Sequence, residues 1–275
     1  MTNTNRSQVA AWPQAPASLD WRVPQFRSHE FFKRRTKYVL VIPVLNEADR
    51  LKKQLVRMAP YLGRIDTVIV DGNSTDGCAE PDAIRALGAR AVLIKEGPGK
   101  LSAQLRIGIS YALIEGYAGL VLMDGNNKDN PSAIPEFVRG LDEGFDSIQG
   151  SRFLPGGKHE NTPPSRLWGI RYLHAPLISL AAGFRYTDTT NGFKAFSRTL
   201  LEDPRVSPFR DCFFSYELHS YLEVRAGVLD YRIKEIPVER VYPASGHTPT
   251  KISKWRGSLL MMKILFKACL HHYDP

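Results

Sequence analysis

The chain has 275 residues, 43% of them hydrophobic and 24% charged, and carries a formal net charge of +9 at pH 7. That length allows one large domain or two small ones with a sizeable core. No run approaches the roughly 20 apolar residues of a membrane-spanning helix, and no N-terminal stretch reads as a signal peptide. Cys78, Cys212 and Cys269 are far apart. They fit no zinc spacing and make no disulfide framework, which points to a reducing, cytoplasmic setting. The positive charge predicts a polyanionic partner: nucleic acid, an anionic membrane surface or a phosphorylated ligand.

Residues 1–36 are polar, Pro-bearing and aperiodic, ending in the basic run Lys33, Arg34, Arg35; a flexible basic extension is expected there. From Tyr38 the pattern changes. YVLVIP (38–43), TVIVD (67–71), AVLIK (91–95) and GLVLMD (119–124) are short continuous apolar runs, as expected of strands buried on both faces. Between them Leu51, Leu55, Met58 and Leu62 recur at helical spacing, as do Leu101, Leu105, Ile109 and Leu113. Strands alternating with helices predict a mostly parallel α/β sheet with its ligands at the carboxyl ends of the strands. Chemistry is therefore expected at Pro43–Glu47, Asp71–Asp76, Lys95–Lys100 and Asp124–Asp129.

The second half, from residue 132 to 251, reads differently. SIQGSR (147–152) predicts a further strand, and 165–181 a helix bent or interrupted at Pro176. YRIKEIPVERV (231–241) alternates around Pro237, as in an edge or bulged strand. Over 252–275, Ile252, Trp255, Leu259, Met262, Phe266 and Leu270 mark an amphipathic helix that also carries Lys254, Arg256, Lys263 and Lys267.

VIPVLNEADRL (41–51), IVDGNSTDG (69–77) and LMDGNNKDNP (122–131), at the ends of successive strands, resemble the family 2 glycosyltransferases. GSRFLPGG (150–157), TDTTNGFKAFSR (187–198) and IPVERVYPASGHTPTKIS (236–253) are similar to the polyprenyl-phosphate sugar transferases, the dolichol-phosphate mannose synthase group. The resemblance spans roughly residues 38 to 270, with the motifs in order. It implies a GT-A (Rossmann-like) fold: a mostly parallel central sheet flanked by helices over 37–251, with a nucleotide-binding half at 37–131.

The same resemblance implies site residues. Asp71 stands where the family places its base-reading carboxylate, and Glu47 where it places an acid near the ribose or base. Glu47 is equally suited to a helix N-terminus. Pro43, Leu45, Asn46 and Asn73 complete these strand-end loops of the nucleotide site. Asp76 is read as a helix cap or loop organiser. GPGKLS (97–102) is not a phosphate loop, because Ile94 and Leu101 replace its Gly and Ser/Thr. In the family a Gly-Lys opens the helix that carries an Arg near the nucleotide, which nominates Arg106. Lys100 is then a diphosphate contact or simply a solvated lysine. Where the family has Asp-x-Asp and often a following Gln, this chain has Asp124, Gly125, Asn126 and Lys128. Asp124 and Asn126 are expected to hold Mg2+ or Mn2+ in a weakened site, since an amide oxygen suits a hard cation but adds no charge. Lys128 would place a positive charge near the diphosphate, and Asp129 would return a carboxylate. A capped loop opening the helix near Ile134 is the plainer alternative. Arg152, Arg240 and Lys251 are the expected phosphate contacts on the acceptor side. Asp188 and Glu217 are each a candidate general base or a structural acid, with Asp124 and Arg240 expected to act in catalysis.

The implied reaction is inverting transfer of a sugar from a nucleoside diphosphate sugar to a polyprenyl or dolichyl phosphate. Transfer to a soluble hydroxyl acceptor, or binding of a nucleotide sugar without turnover, are the alternatives. Nucleic acid would account for the charge but for none of the motifs. A membrane surface, an anchoring subunit and self-association stay open as partners, with a peripheral place at the cytoplasmic face of a membrane.

Overall fold

A computed structural model of the chain describes residues 21–244 and 254–275. Its strands are β1 (Phe26–Glu30), β2 (Val39–Val44), β3 (Asp66–Asp71), β4 (Ala91–Lys95), β5 (Gly119–Leu122), β6 (Ser147–Ser151), β7 (Lys158–Glu160), β8 (Lys194–Ser197), β9 (Ile233–Pro237) and β10 (Glu239–Val241). Its helices are α1 (Asp49–Met58), α2 (Pro81–Ala86), α3 (Leu101–Ile114), α4 (Ile134–Asp142), α5 (Pro164–Gly169), α6 (Ala175–Ala182), α7 (Arg198–Glu202), α8 (Glu217–Val228) and α9 (Lys254–Cys269). The main sheet has the order β1-β4-β3-β2-β5-β8-β6-β9, and β7 and β10 form a separate parallel pair.

The four apolar runs of the first half become the parallel block β4-β3-β2-β5. Alternation sends Val39, Val41, Val68 and Val70 to one face, where they meet Leu105, Ile109 and Leu113 of α3. Leu40, Ile42 and Ile69 point to the other face, toward Leu51 and Leu55 of α1 and Phe137 of α4. Both faces are dry, which is why these strands carry no polar alternation. The α1 stripe stops at Met58 rather than Leu62, because Pro60 turns the chain through a short 3-10 segment, Ala59–Tyr61.

Two expectations need correction. Residues 26–30 do not belong to a flexible extension: β1 pairs antiparallel with β4, Phe26 opposite Lys95 through Glu30 opposite Ala91. Trp21 stacks on Phe209 with ring centroids 4.1 Å apart, so this segment is tied down on both sides. Its polar, short pattern is that of an edge strand, which has no need of a continuous apolar run. Residues 1–20 lie outside the described part. The second correction concerns Pro176. The helix is interrupted just before it, by a π-helical turn at Ile170–His174, where the Ala175 N–H donates to the Ile170 carbonyl. Pro176 has no N–H to continue the α ladder, and it sits in the first turn of α6, where none is required.

β8 enters between β5 and β6, antiparallel to both, and so joins the two halves of the chain in one sheet. β9 lies at the far edge beside β6, where Pro237 removes no ladder bond from the interior. On α9, Ile264, Leu265 and Ala268 are buried, whereas Leu259 and Phe266, and Leu270 just beyond its end, are exposed. Part of the apolar stripe therefore faces outward. Among the described residues no helix is long and apolar enough to cross a membrane.

Gln104 on α3 is buried, and its amide donates to the carbonyls of Val44 and Val70, each at 2.8 Å, joining the ends of β2 and β3. Gln104→Leu should lower the melting temperature by about 2–12 °C, corresponding to about 1–3 kcal/mol for removing these bonds. Thermal denaturation of the two proteins checks this.

Candidate active site

The carboxyl ends of β2 to β5 open on a cleft of about 300 Å³. The loop after β2 contributes Pro43, Val44, Leu45 and Glu47, and the turn after β3 contributes Gly72. Lys95 ends β4, and Gly99, Lys100, Leu101 and Gln104 follow it. Asp124, Gly125 and Asn126 come from the loop after β5, and Tyr216 closes the far side. Seven residues chosen from the sequence for nucleotide binding (Pro43, Leu45, Glu47, Lys100, Asp124, Gly125 and Asn126) thus share one wall. Lys95 lies in a strand-end segment expected to carry chemistry but was not named as a binding residue, and Gln104 and Tyr216 were not expected. Lys95 ends an apolar strand, as Asp71 does, and that position was its signal; Gln104 arrives from the face of α3 and Tyr216 from the bend before α8, and neither leaves a local mark.

The loops hold strained backbone. Asn46, Ala48, Asn73 and Asn127 all have positive φ, between 48° and 71°. Asn tolerates this region, whereas Ala48 adopts it at a steric cost of order 1–3 kcal/mol. The Ala48 N–H donates to Asp76 at 2.7 Å, so Asp76 organises this turn as expected. Gly125 is required by close approach, since a Cβ there would lie 2.4 Å from Val44 Cγ1.

β5 ends at Leu122, and Asp124 follows on the loop. Its Oδ2 accepts from Arg240 Nη2 at 2.8 Å, while Arg240 Nη1 donates to Asp129 Oδ2 at 2.5 Å. The backbone prepares this bridge. Asp129 and Arg240 form an isolated antiparallel β-bridge, Val241 N donates to the Lys128 carbonyl, and Asn130 N donates to the Glu239 carbonyl. Burial raises the Asp124 pKa, but the Arg240 charge and hydrogen bond outweigh it and hold the carboxyl below the ordinary range. At Asp129 burial prevails and the pKa is raised. Among the described residues Asp124 Oδ1 receives no hydrogen bond. Asn126 Nδ2 donates to Asp124 Oδ2 at 3.3 Å, and its Oδ1 accepts from Lys128 N at 3.2 Å.

Several predicted residues are not brought into the cleft wall. Asp71 is buried and closes its own turn, accepting from Ser74 N and Oγ. Asn46 accepts from Thr75 N, and Asn73 shapes the same turn. Arg106 is buried and donates to the carbonyls of Arg22 and Arg210 and to Asp211, so it staples the N-terminal segment to the loop before α8. Arg152 forms a fork with Asp188, 2.6 Å from Nε to Oδ2 and 2.9 Å from Nη2 to Oδ1, with both side chains buried. Burial alone would raise the Asp188 pKa; the Arg152 hydrogen bonds outweigh it and lower it. Glu217 accepts from Ser215 N at 2.6 Å, as a structural acid at the start of α8. Lys251 lies outside the described residues.

The family 2 glycosyl transferase model matches residues 39–204, which include β2 to β5 and the loops at their carboxyl ends, though not Tyr216. The chain belongs to glycosyl transferase family 2. Among its relatives is the undecaprenyl-phosphate mannosyltransferase of Micrococcus luteus, 26% identical over 204 residues, covering 74% of this chain and 82% of that protein. The polyprenol monophosphomannose synthase of Mycolicibacterium smegmatis is 25% identical, covering 73% of this chain and 76% of the relative. A solved glucosyl-3-phosphoglycerate synthase from Mycobacterium tuberculosis, in complex with Mg2+ and UDP, superposes with a TM-score of 0.62 at 17% identity. That match covers 85% of this chain and 79% of the synthase, and shows the shared fold. In this glycosyltransferase the α/β expectation holds, with its largely parallel sheet flanked by helices.

Gly192 packs against the Asp124 carboxylate, where an added Cβ would stand 2.5 Å from Oδ1. Gly192→Ala should therefore displace Asp124 and lower glycosyltransferase turnover by about one to two orders of magnitude. Steady-state rates alongside a melting curve separate this from unfolding.

Proposed function

We propose that this glycosyltransferase transfers a sugar, with inversion, from a nucleoside diphosphate sugar to a polyprenyl phosphate. The observation that carries the reading is the Asp124–Arg240 contact, in which a carboxylate of the donor cleft meets a basic residue of β10. The relatives named for polyprenyl-phosphate acceptors support the same acceptor class. Asp188 and Glu217, the candidate bases, are both committed to structural partners. A phosphate acceptor needs no base, because its oxyanion is already nucleophilic; a hydroxyl acceptor would need one.

Donor binding would use the cleft, with Lys95 and Lys100 on its wall favouring the diphosphate. The acceptor oxyanion attacks the anomeric carbon from the face opposite the diphosphate, and the sugar–diphosphate bond breaks as the new bond forms. The N–H donors of Arg240 that Asp124, Asp129 and Asn191 leave free would hold the acceptor phosphate against the sugar. The oxygens of Asp124 and Asn126 fit a divalent cation only as a partial set. Among the described residues no three acidic, His or Cys side chains gather to hold one. Diphosphate oxygens would have to complete the coordination. When bound there, Mg2+ or Mn2+ would neutralise charge on the departing diphosphate. Exposed Trp168, Tyr172 and Leu180, together with Leu259, Phe266 and Leu270, would rest on the membrane beside exposed Lys263 and Lys267.

Incubation with labelled nucleotide sugars and a polyprenyl phosphate should move label into the organic-extractable lipid. Label appearing only in water-soluble product would overturn the acceptor. In the same assay Arg240→Ala should weaken acceptor use by about one to two orders of magnitude, as expected for losing a charge-assisted contact of about 1.5–3 kcal/mol. Its effect on donor KM should be smaller, and varying the two substrates separately checks this. Asn126→Asp should lower the Mn2+ concentration needed for half-maximal rate, because it restores a charge to the coordination set; a metal titration checks it.

A further inference from the structure

Lys128 is only 7% exposed. Its backbone is fixed, with N–H donating to Asn126 and carbonyl accepting from Val241. Its ammonium lies 4.7 Å from the ring centroid of Tyr242, which is itself buried. Among the described residues the ammonium has no carboxylate partner and no hydrogen-bond acceptor. Two guanidiniums share the same ring. Arg166 lies 5.8 Å from its centroid and donates to the phenol oxygen at 2.9 Å, and Arg240 also lies at 5.8 Å. Arg240 is matched by Asp124 and Asp129. Lys128 and Arg166 have no ion-pair partner among the described residues.

A buried ammonium normally keeps a counter-anion, because water no longer stabilises it. An aromatic face replaces only part of that loss. Lys128 is thus a desolvated cation held in place beside Arg240 with its charge unmatched. The neighbouring residues of its loop, Asp124, Gly125 and Asn126, line the donor cleft, whereas Lys128 does not.

We propose that Lys128 binds the phosphate monoester of the acceptor, on the Tyr242 side of Arg240, and does not contact the donor diphosphate. This rests on the reading that the acceptor is a phosphate ester. The compact ammonium contributes three donors and one full charge, while Arg240 contributes the N–H donors that Asp124 and Asp129 leave free, so the two engage different oxygens of one phosphate. This assignment differs from the expectation that Lys128 places its charge near the diphosphate.

Binding to the full chain can be measured by titration calorimetry with two monoester probes, farnesyl phosphate and 3-phosphoglycerate, and with UDP and GDP. Lys128→Gln should weaken whichever monoester the wild type binds by about tenfold or more, the scale of one lost charged contact. Affinity for whichever nucleoside diphosphate binds should stay within about twofold. Lys128→Arg, which keeps the charge, should retain most of the monoester affinity. Since Lys128 makes no ion pair within the protein and loses only its contact with Tyr242, Lys128→Gln should melt close to wild type. Loss confined to the nucleoside diphosphate would overturn the assignment, as would unchanged monoester binding, with or without a lower melting temperature. Absence of monoester binding by the wild type would overturn it too. If the wild type binds 3-phosphoglycerate and not farnesyl phosphate, the lipid reading fails, while the Gln variant still decides the role of Lys128.

Discussion

The guanidinium of Arg240, held between Asp124 and Asp129, fixes how the two sides of this site are arranged. It comes from a strand outside the main sheet and reaches a loop more than a hundred residues earlier in the chain. Both partners are substantially buried, so removing one charge would leave the others poorly solvated. The loop after β5 therefore cannot drift from β10. That constraint keeps the cleft and the cluster of basic residues around Tyr242 in register. Asp129 Oδ1 is buried with no hydrogen-bond partner among the described residues, so the bridge is not fully satisfied as it stands. A guanidinium drawn from Asp124 toward Asp129 would find an acceptor waiting there.

Behind the bridge the second half of the chain buries an unusual amount of polar chemistry. Arg152 forks onto Asp188, Glu235 accepts from Thr187 and Asp188 N, and Lys194 of β8 pairs with Glu223 of α8. Burial pushes Glu223 up to about 7 against the opposing Lys194 charge, and one of its oxygens has no hydrogen-bond partner among the described residues. Such pairs add little net stability compared with apolar packing, but each member fixes the position of the other. Here they orient the segment 187–194, which carries Asn191 and Gly192 against the Asp124–Arg240 bridge. The raised Glu223 pKa sets the sign of its pH linkage. Relative to an unfolded carboxyl, its contribution is largest below about pH 4.5 and is lost as pH rises through about 7.

Much of the first half was legible in the residues themselves. The runs 38–43, 67–71, 91–95 and 119–124 mark strands because a strand covered on both faces must be apolar throughout, and their ends mark the cleft. Asp124, Gly125 and Asn126 were found this way, as was the role of Asp76. β1 was missed because an edge strand is paid for by pairing with β4, which leaves no apolar signature in FRSHE. The π-turn before Pro176 was displaced from its expected place by a few residues, because the missing N–H acts on the preceding turn.

The amino-acid order alone determined the α/β class, the parallel block and the strand ends where chemistry collects, since these follow from local periodicity and strand length. The family resemblance also nominated Arg106 near the nucleotide and Arg152 and Arg240 as phosphate contacts, and left Asp188 and Glu217 open between a general base and a structural acid. An Arg or Asp in a loop looks the same whichever partner it meets. Only the tertiary structure could assign those partners, because ion pairs between residues 152 and 188, or 124 and 240, depend on chain segments that sequence spacing does not bring together. Burial decides the rest: in water Lys128 would be an ordinary solvated charge, and under Tyr242 its ammonium makes no ion pair among the described residues.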